Sequence, residues 1–513
     1  MPEPGEQLQP NTQAIAEKPS TADMEGSAKT QQEYEEAGQG HVFAFFDQLQ
    51  TEEKEELVNQ LKSIDPQRVN QIFKQSTSKS GSGAEPIDKT DLEPPPKDSL
   101  ESIIDLSKPE IKRNVSEWES LGFKSMKEQK VGILLLAGGQ GTRLGSNDPK
   151  GCYNIGLPSQ KSLFQIQAEK IIRLQDLVGG SSIIPWYIMT SGPTRKPTED
   201  YFSKMNYFGL KKENVMFFEQ GVLPALTPEG KMFLETPSKV CVAPDGNGGL
   251  YAALRSSSSC SAGRSVLHDL KHRGIEYIHA YCVDNCLVKV ADPIFLGYCI
   301  SKKTTCGVKV VLKSQPNESV GVLALKNKLW SVVEYSEMPE SVASSRAENG
   351  ELKFKSANIA NHFYSLKFLE SIESFESKLA YHVAHKKIPH IDLKSKQLIK
   401  PSQPNGIKLE LFIFDVFPFV DSLSLLEVDR SEEFSPLKNA PNTGTDDPQT
   451  SRRDLLAQQK RWLEAAGCQF SAPDLEVELS ALVTYAGEGL ESVKGKTISQ
   501  SVYIKSKDDL EKL

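Results

Sequence analysis

The sequence predicts an α/β protein built on a Rossmann-like, mixed but mostly parallel sheet. From Val131 onward, short apolar segments alternate with amphipathic segments, which is typical of parallel strands covered by helices on both faces. The segments that predict strands read VGILLLA, IIPWYIMT, VMFF, YIHAYCV and VKVVL. Between the first two, SLFQIQAEKIIRLQDL has helical periodicity, and Ser162 followed by Gln165 resembles a capping box. A glycine-rich loop follows the first strand, where α/β proteins hold phosphates.

Composition divides the chain into four regions. Residues 1–38 are rich in Gln, Glu, Pro and Ser, so we predict a disordered tail. Residues 39–127 carry apolar residues at helical spacing and predict a helical N-terminal region, with Ser76–Gly83 as a linker or surface crossing. Residues 128–417 hold the strand and helix alternation. Residues 418–513 are less regular, predict one or two strands near the end, and are assigned to a small C-terminal domain.

Charge and cysteine content exclude several classes of partner. The net charge of −8 argues against nucleic acid and membrane surfaces, because both attract a basic face. The apolar runs are too short to cross a bilayer, and the first residues do not resemble a secretory signal. Eight cysteines without such a signal predict reduced thiols. We therefore expect a cytoplasmic protein, a monomer or weak homo-oligomer, that binds neither nucleic acid nor membrane.

The glycine-rich loop LLLAGGQGTRLGSNDPKG, Leu134–Gly151, departs from two common phosphate-binding motifs. Its glycines are spaced G-x-G-x-x-x-G, and the region around Lys161 lacks the acid of a dinucleotide fingerprint. The Gly-Lys pair of a Walker loop is also missing. Neither motif therefore explains the loop, but its two cations, Arg143 and Lys150, can converge on one polyphosphate. A glycine turn with surface charges is the alternative.

The pattern G-G-x-G-T-R-L-G followed by Pro-Lys resembles the signature of sugar-nucleotide pyrophosphorylases. Further motifs occur in the order expected of the eukaryotic UDP-N-acetylglucosamine pyrophosphorylases, in the UDP-sugar pyrophosphorylase family. These motifs include KVCVAPDGNGGLYAAL, YCVDNCLVKVADPIFLGYC, VVEYSEM, NIANHF, PNGIKLELFIFDVF, EEFSPLKNA and YAGEGLE. The resemblance implies that residues 128–417 form a nucleotidyltransferase catalytic domain.

The resemblance also implies a reaction, in which UTP and N-acetylglucosamine 1-phosphate give UDP-N-acetylglucosamine and pyrophosphate. In-line attack on the α-phosphorus of UTP needs aligned reactants and neutralised charge more than proton transfer. Mg²⁺ is the implied cofactor, with Mn²⁺ as a substitute. Two alternatives stay open: the same chemistry on N-acetylgalactosamine or glucose 1-phosphate, and a non-catalytic nucleotide-sugar sensor. A sensor would be expected to lack Arg143, Lys150 or Asp284, and all three are present.

The same resemblance implies residue roles. Arg143, Lys150 and Lys438 are the catalytic candidates, and Asp284, which follows the predicted strand YIHAYCV, is the Mg²⁺ candidate. A turn-capping aspartate is the alternative for Asp284. The nucleotide-binding candidates are Ala137, Gly138, Gly139, Gly141, Gln220 and Gly246. The candidates for the sugar and its phosphate are Asn247, Gly321, Glu334, Asn358, Lys408, Phe412 and Phe414, although alternating aromatics are also typical of a plain core.

One departure from the expected pattern lies within the signature itself. Asp148 places an acid two residues before Lys150. If its carboxylate pointed inward, it would weaken the hold of Lys150 on pyrophosphate.

Overall fold

A computed structural model describes residues 21–78, 91–258 and 260–513. They form two compact units. The small unit comprises the described residues of Met1–Gln75, Leu223–Ala243 and Val383–Leu409. The large unit comprises those of Ser76–Val222, Pro244–His382 and Glu410–Leu513. The predicted α/β class is confirmed, because helices and strands alternate along the large unit around one mixed sheet.

The elements of the described residues are numbered in chain order. The helices are α1 (Thr21–Glu36), α2 (Thr51–Lys62), α3 (Pro66–Ser78), α4 (Pro109–Lys127), α5 (Leu163–Leu177), α6 (Gly192–Lys204), α7 (Leu250–Arg255), α8 (Val266–His272), α9 (Pro293–Ser301), α10 (Glu340–Ala343), α11 (Leu366–Ser371), α12 (Arg430–Glu433), α13 (Pro448–Ala465) and α14 (Lys507–Glu511). The strands are β1 (Leu92–Glu93), β2 (Leu100–Ser102), β3 (Val131–Leu136), β4 (Trp186–Thr190), β5 (Val215–Glu219), β6 (Val222–Pro224), β7 (Leu234–Thr236), β8 (Lys239–Val240), β9 (Val242–Pro244), β10 (Tyr277–Cys282), β11 (Cys306–Leu312), β12 (Val322–Lys326), β13 (Leu329–Val333), β14 (Ser356–Ser365), β15 (His382–Lys386), β16 (His390–Ile391), β17 (Leu398–Ile399), β18 (Gly406–Glu410), β19 (Leu423–Glu427), β20 (Gln469–Phe470), β21 (Val477–Leu479), β22 (Thr497–Ile498) and β23 (Val502–Ile504).

The small unit contains the helices α1 and α2 and most of α3, with the antiparallel pairs β7–β8 and β16–β17. Tyr34 of α1 is buried, and its hydroxyl donates to the carbonyl oxygens of Leu61 and Ile64, each at 3.1 Å. The disorder predicted for residues 1–38 is therefore wrong for the end of α1, because one buried aromatic ties that helix to α2. Residues 1–20 lie outside the described residues, as does most of the predicted linker Ser76–Gly83, whose first three residues end α3.

The central sheet of the large unit is mixed and mostly parallel. Its main strand order is β2-β19-β11-β14-β10-β3-β4-β5. β10, β3, β4 and β5 run parallel to one another, as do β2, β19 and β11. The long strand β14 lies between these two groups and is antiparallel to both of its neighbours. The five strands predicted from periodicity are all present. The strand β14 and its antiparallel direction were not predicted.

Helices cover both faces of this sheet. Every residue of β3 is buried, and alternate side chains enter two different apolar cores. On one face Ile133 and Leu135 share a core with Phe164 of α5, and on the other Leu134 shares a core with Leu250 of α7. Full burial of such side chains contributes roughly 1.5–3 kcal/mol each. A strand buried on both faces reads as a continuous apolar run, as VGILLLA does.

The predicted helix start at Ser162 is confirmed in part. The hydroxyl of Ser162 accepts from the backbone N–H of Gln165 at 3.2 Å and so caps α5. The side chain of Gln165 instead donates to Glu169, so the capping box is not reciprocal.

The strands predicted near the end are β22 and β23, which pair in parallel with β20 and β21 around a small apolar core. The division into four regions stays a prediction; β19, at Leu423–Glu427, is paired with β11 in the central sheet. Among the helices of the described ranges, none combines the length and the apolar character that a bilayer span requires.

Candidate active site

A lysine and an aspartate meet where β3 and β10 end. These strands are parallel, with Leu136 opposite Cys282, so the loops that follow them leave the same edge of the sheet. Nζ of Lys150 lies 3.3 Å from Oδ2 of Asp284. The side chains are 18% and 24% exposed, so a ligand can still reach both. The predicted phosphate-binding cation and the predicted metal ligand are therefore neighbours.

The glycine-rich loop closes on itself to return Lys150 to the strand end. The backbone N–H of Lys150 donates to the carbonyl of Gly139 at 3.1 Å, and that of Gly141 donates to the carbonyl of Asp148 at 2.9 Å. Gly145 turns the chain with a φ of 76°, in the left-handed region that favours glycine. Lys150 thus lies close to Gly139 along the backbone, although eleven positions separate them in the sequence.

Arg143 and Asp148 both face solvent. Arg143 lies in the single turn Thr142–Leu144 and makes no ion pair within the described part of the chain. The carboxylate of Asp148 accepts from the hydroxyl of Ser146 at 3.4 Å, whereas Lys150 is paired with Asp284. Lys150 therefore pairs with Asp284 and not with Asp148, the acid within the signature.

The candidates at the start of the loop pack against the end of β5. Gln220 is buried, and a Cβ atom at Gly138 would lie only 2.6 Å from its Oε1. The carbonyl of Gly138 accepts from the hydroxyl of Ser191 at 2.7 Å. The backbone N–H of the buried Ala137 donates to Met189 of β4. Ala137, Gly138 and Gln220 are thus brought together, and their role in nucleotide binding stays a prediction.

A second loop that carries two candidates is fixed by hydrogen bonds to residues 411–413. Gly246 has φ 90° and ψ 171°, a conformation essentially restricted to glycine, and an added Cβ would lie 2.2 Å from the carbonyl oxygen of Leu411. Leu411 donates to the carbonyl of Asp245 at 2.8 Å and accepts from Gly248 at 2.9 Å. The amide oxygen of Asn247 accepts from the backbone of Ile413 at 2.9 Å, which leaves its NH₂ group for a ligand.

Three sugar candidates meet at the beginning of β14. Because β14 runs antiparallel to β10, with Asn361 opposite Tyr281, Asn358 lies beyond the carboxyl end of β10. Its backbone N–H donates to the carbonyl of Gly321 at 2.9 Å, and a Cβ at Gly321 would lie 2.9 Å from Oε1 of Glu334. Burial, with a smaller effect from Glu337, raises the pKa of Glu334.

Lys438 is brought to Asp284 by the segment that precedes it. The backbone N–H of Leu437 donates to the carbonyl of Asp284 at 2.8 Å. The next residue after Asp284, Asn285, donates from its side chain to the carbonyl of Glu433 at 2.7 Å and accepts from the backbone of Ser435 at 3.1 Å. These bonds hold the backbone of Lys438, whose side chain is exposed, beside the strand-end carboxylate.

A buried ion cluster supports this segment. Lys309 of β11 is fully buried and pairs with Asp292 and Glu433, which are also buried. Asp292 caps α9 through a bond from the backbone of Ile294 at 3.1 Å. Burial alone would raise the pKa of Asp292, but Lys309 and Lys289 outweigh it and hold that pKa below its usual value. The cluster joins β11, α9 and α12 behind the site.

Phe412 and Phe414 follow β18 rather than lying on it, since that strand ends at Glu410. Phe414 is buried and Phe412 is partly exposed, with ring centroids 5.2 Å apart. Sequence reasoning missed two residues beside them. Oδ1 of Asp415 lies 3.0 Å from Nε2 of His382, and its Oδ2 accepts from the backbone of Phe412 at 2.7 Å. The spacing of Asp415 after Phe412 could have indicated this turn, but nothing in the sequence points to His382, thirty positions earlier.

Lys408 is the one candidate in the small unit, where it lies on β18. The other candidate residues all belong to the large unit. The role of Lys408 stays a prediction.

The donor set at Asp284 suits a metal shared with a substrate. Among the described residues there is no group of three or more His, Cys, Asp or Glu side chains placed to enclose a metal. Mg²⁺ in nucleotide enzymes is commonly bound through one or two carboxylates together with phosphate oxygens and water. A single, partly exposed carboxylate beside a lysine fits a site of that kind. Mg²⁺ itself stays a prediction.

Known proteins share both the sequence and the fold. The model of the UTP–glucose-1-phosphate uridylyltransferases matches residues 67–483. UDP-N-acetylglucosamine pyrophosphorylase of Saccharomyces cerevisiae is 45% identical, over 92% of this chain and 98% of the relative. UDP-N-acetylhexosamine pyrophosphorylase-like protein 1 of Xenopus tropicalis is 44% identical, over 93% and 96%. The crystal structure of Trypanosoma brucei UDP-N-acetylglucosamine pyrophosphorylase with an inhibitor has a TM-score of 0.81 at 32% identity, covering 94% of this chain and 99% of that one.

Proposed function

This chain belongs to the UTP–glucose-1-phosphate uridylyltransferase family, and we propose that it forms UDP-N-acetylglucosamine and pyrophosphate from UTP and N-acetylglucosamine 1-phosphate. It is an enzyme of uridylyl transfer, like the relatives of 44–45% identity that cover nearly its whole length. The observation that supports the assignment of the site most directly is the pairing of Lys150 with Asp284 at 3.3 Å where β3 and β10 end. In open α/β sheets, this edge is where ligands bind.

The reaction replaces one phosphoanhydride bond with another. A phosphate oxygen of the sugar substrate bonds to the α-phosphorus of UTP, and the bond from that phosphorus to the oxygen of the leaving pyrophosphate breaks. Negative charge spreads over the phosphate oxygens in the transition state, so fixed positive charge lowers the barrier. We assign this charge to Lys150 and Arg143 on the leaving side and to Lys438 on the bridging phosphate.

The nucleotide is assigned to the flank of the sheet that carries β3, β4 and β5. There the amide of Gln220 can both donate to and accept from a uracil edge. Gly138, against which Gln220 packs, leaves no room for a side chain. The backbone groups of Gly139 and Gly141 complete this proposed subsite, and Gly246, on the loop that also carries Asn247, is proposed as a further contact of the uracil.

The sugar is assigned to the other flank, around β14. Glu334 can accept from sugar hydroxyls, and Asn358 can bond hydroxyl or acetamido groups. Asn247 presents its NH₂ group, since its oxygen is used by Ile413. Phe412 and Phe414 are proposed as the apolar wall that meets the acetamido methyl.

Asp284, together with phosphate oxygens, is proposed to hold Mg²⁺. When bound, this ion supplies further positive charge to the reacting phosphates. Within the protein, Asp284 also holds the ammonium group of Lys150 beside the site.

The test is pyrophosphate release from UTP and Mg²⁺ with three sugar 1-phosphates in parallel: N-acetylglucosamine, N-acetylgalactosamine and glucose. We expect fastest release with the first and none after EDTA. A preference for another sugar would keep the chemistry and overturn the assigned sugar pocket. No release with any of them, from protein that binds UDP-N-acetylglucosamine, would instead favour a sensor.

The cytoplasmic location and the monomeric or weakly associated state are also proposals. The net charge of −8 only disfavours binding to polyanions such as nucleic acid and anionic membranes. Cell fractionation and size-exclusion chromatography would test the location and the association state.

A further inference from the structure

His382 makes two contacts beside the proposed sugar wall. Its Nε2 lies 3.0 Å from Oδ1 of Asp415, and its ring centroid lies 4.2 Å from that of Phe412 at an interplanar angle of 33°. The side chain is about one-third exposed. Neither the reaction nor the binding roles assigned above use this residue.

The backbone and the ring of Phe412 are held by different groups. Its backbone N–H donates to Asp415, and its neighbours Leu411 and Ile413 are bonded to the loop that carries Asn247. The aromatic ring, by contrast, is contacted by the rings of His382 and Phe414, with ring centroids 4.2 and 5.2 Å away and interplanar angles of 33° and 43°. Asp415 therefore organises the wall twice, directly at the backbone and through His382 at the ring.

Charge keeps His382 in this orientation. Burial alone would lower its pKa, but the bond to Asp415 outweighs burial, Glu337 and Glu334 add to it, and the pKa is raised. The three carboxylates that face the imidazole all favour its charged form. A cationic ring over an aromatic ring also gains from the negative face of the latter.

We propose that His382 is a positioning residue for the sugar subsite, which fixes the ring of Phe412 against the acetamido group and so sets the preference for N-acetylated over plain hexose 1-phosphates. This inference rests on the proposed function. Glucose 1-phosphate has no acetamido group, so the order of the Phe412 ring affects its binding little. UTP is assigned chiefly to Gln220 and the glycine-rich loop, whereas the contacts of His382 described above are with Asp415 and Phe412, so we expect UTP binding to stay unchanged.

The experiment compares kcat and KM of the full-length protein and of His382→Ala with N-acetylglucosamine 1-phosphate and with glucose 1-phosphate. An aromatic contact of this kind contributes about 0.5–1.5 kcal/mol, which corresponds to up to about tenfold. We expect kcat/KM for the N-acetylated substrate to fall about tenfold, mostly through KM. The value for glucose 1-phosphate should stay within about twofold, and the KM for UTP should not change.

Two further variants separate positioning from folding. His382→Phe restores a ring over Phe412 and should recover kcat/KM to within about threefold of the unmodified protein. His385→Ala removes an exposed histidine of the same strand and should change nothing. The His382→Phe comparison applies even where His382→Ala is poorly folded.

The outcomes distinguish the two proposals. If the unmodified protein releases no pyrophosphate with any sugar 1-phosphate, the proposed function is wrong. If it is active and His382→Ala lowers kcat/KM equally for both sugars, or for neither, the assignment of His382 is overturned. That assignment is also overturned if His382→Phe shows no recovery.

Discussion

Lys150 and Asp284 form an ion pair at 3.3 Å across 134 positions of sequence. The pair is possible only because β3 and β10 are parallel neighbours, so that both following loops start at one edge. Each side chain balances the charge of the other before any substrate is present. A phosphate that binds to Lys150 and a cation that binds to Asp284 then replace this contact without leaving either charge isolated.

The first prediction concerns Lys150. Replacing it by alanine removes the charge that we propose neutralises the leaving group, and we expect turnover to fall at least about a hundredfold. The melting temperature should move by less than about 2 °C, because the side chain is partly exposed. Lys196→Ala is the control, since that lysine forms an exposed pair with Asp200 on α6. A folded and fully active Lys150→Ala protein would remove the residue from the catalytic set.

Asp284→Asn keeps the shape of the side chain and removes its charge. Because Mg²⁺ prefers anionic oxygen, the variant should need at least about tenfold more Mg²⁺ for half its maximal rate. A titration of rate against Mg²⁺ measures this, with Asp200→Asn as the exposed control. An unchanged Mg²⁺ midpoint with a lower maximal rate would mean that Asp284 acts only on Lys150.

Gly246→Ala tests the close approach of two loops. A Cβ at this position meets the carbonyl of Leu411 at 2.2 Å, in addition to the cost of its positive φ. Gly263 also has a positive φ, 66°, but its Cβ would have nothing within 4 Å. In denaturant titrations, Gly263→Ala should therefore lower the free energy of unfolding by about 1–2 kcal/mol, and Gly246→Ala should lower it by clearly more. Equal losses would show that the loop of Gly246 can shift away from Leu411 at no cost.

Lys309→Met tests the buried cluster. It removes the cation that Asp292 and Glu433 share and leaves Glu433 only its longer pair with Lys289 at 3.5 Å, which should cost up to about 3–5 kcal/mol of unfolding free energy. Lys355→Met, which breaks a partly exposed pair with Glu351, should cost at most about 1 kcal/mol. Since the pKa of Asp292 is lowered in the folded protein, its contribution is present above its unfolded pKa and lost as pH falls through the folded value. The gap in unfolding free energy between Lys309→Met and the unmodified protein should thus be smaller at about pH 3, below the unfolded pKa of 3.8, than near pH 7; a gap that does not depend on pH would contradict this.

The pair of His382 with Asp415 gives the opposite pH dependence. The folded pKa of His382 is raised above 6.5, so its contribution is complete below that pH and is lost as pH rises through the folded value. Melting temperatures of His382→Gln and the unmodified protein should differ more at about pH 5.5 than at about pH 9. A difference in melting temperature that does not change with pH would contradict a raised pKa of His382 caused by Asp415.

Much of the fold and part of the site could be predicted from local sequence patterns. The strands β3, β4, β5, β10 and β11 could be predicted because full or alternate burial leaves a direct trace in the order of apolar residues. The start of α5 could be predicted because Ser162 bonds within three residues of itself. The family motifs implied separate roles for Lys150 and Asp284, and their pairing follows from the parallel neighbouring strands β3 and β10.

The features that could not be predicted depend on contacts between distant segments. The direction of β14 could not be predicted from its own residues, because a parallel and an antiparallel strand would bury the same side chains. The order of α1 could not be predicted, since the contacts of Tyr34 that hold it are made to Leu61, Ile64 and Phe43, in later segments of the chain. His382 was missed for the same reason, as its partners Asp415 and Phe412 lie in another segment of the chain.

The reversed strand β14 separates part of the proposed sugar site from part of the proposed uracil site. β10 lies between β14, which carries Asn358, and β3, whose following loop carries Gly138. Under these proposed assignments, Asn358 and its partners Gly321 and Glu334 can be exchanged without disturbing Gln220 or Gly138. A library of variants restricted to the stretch from Gly321 to Asn358 would then explore new sugar 1-phosphates while keeping UTP as the shared nucleotide substrate.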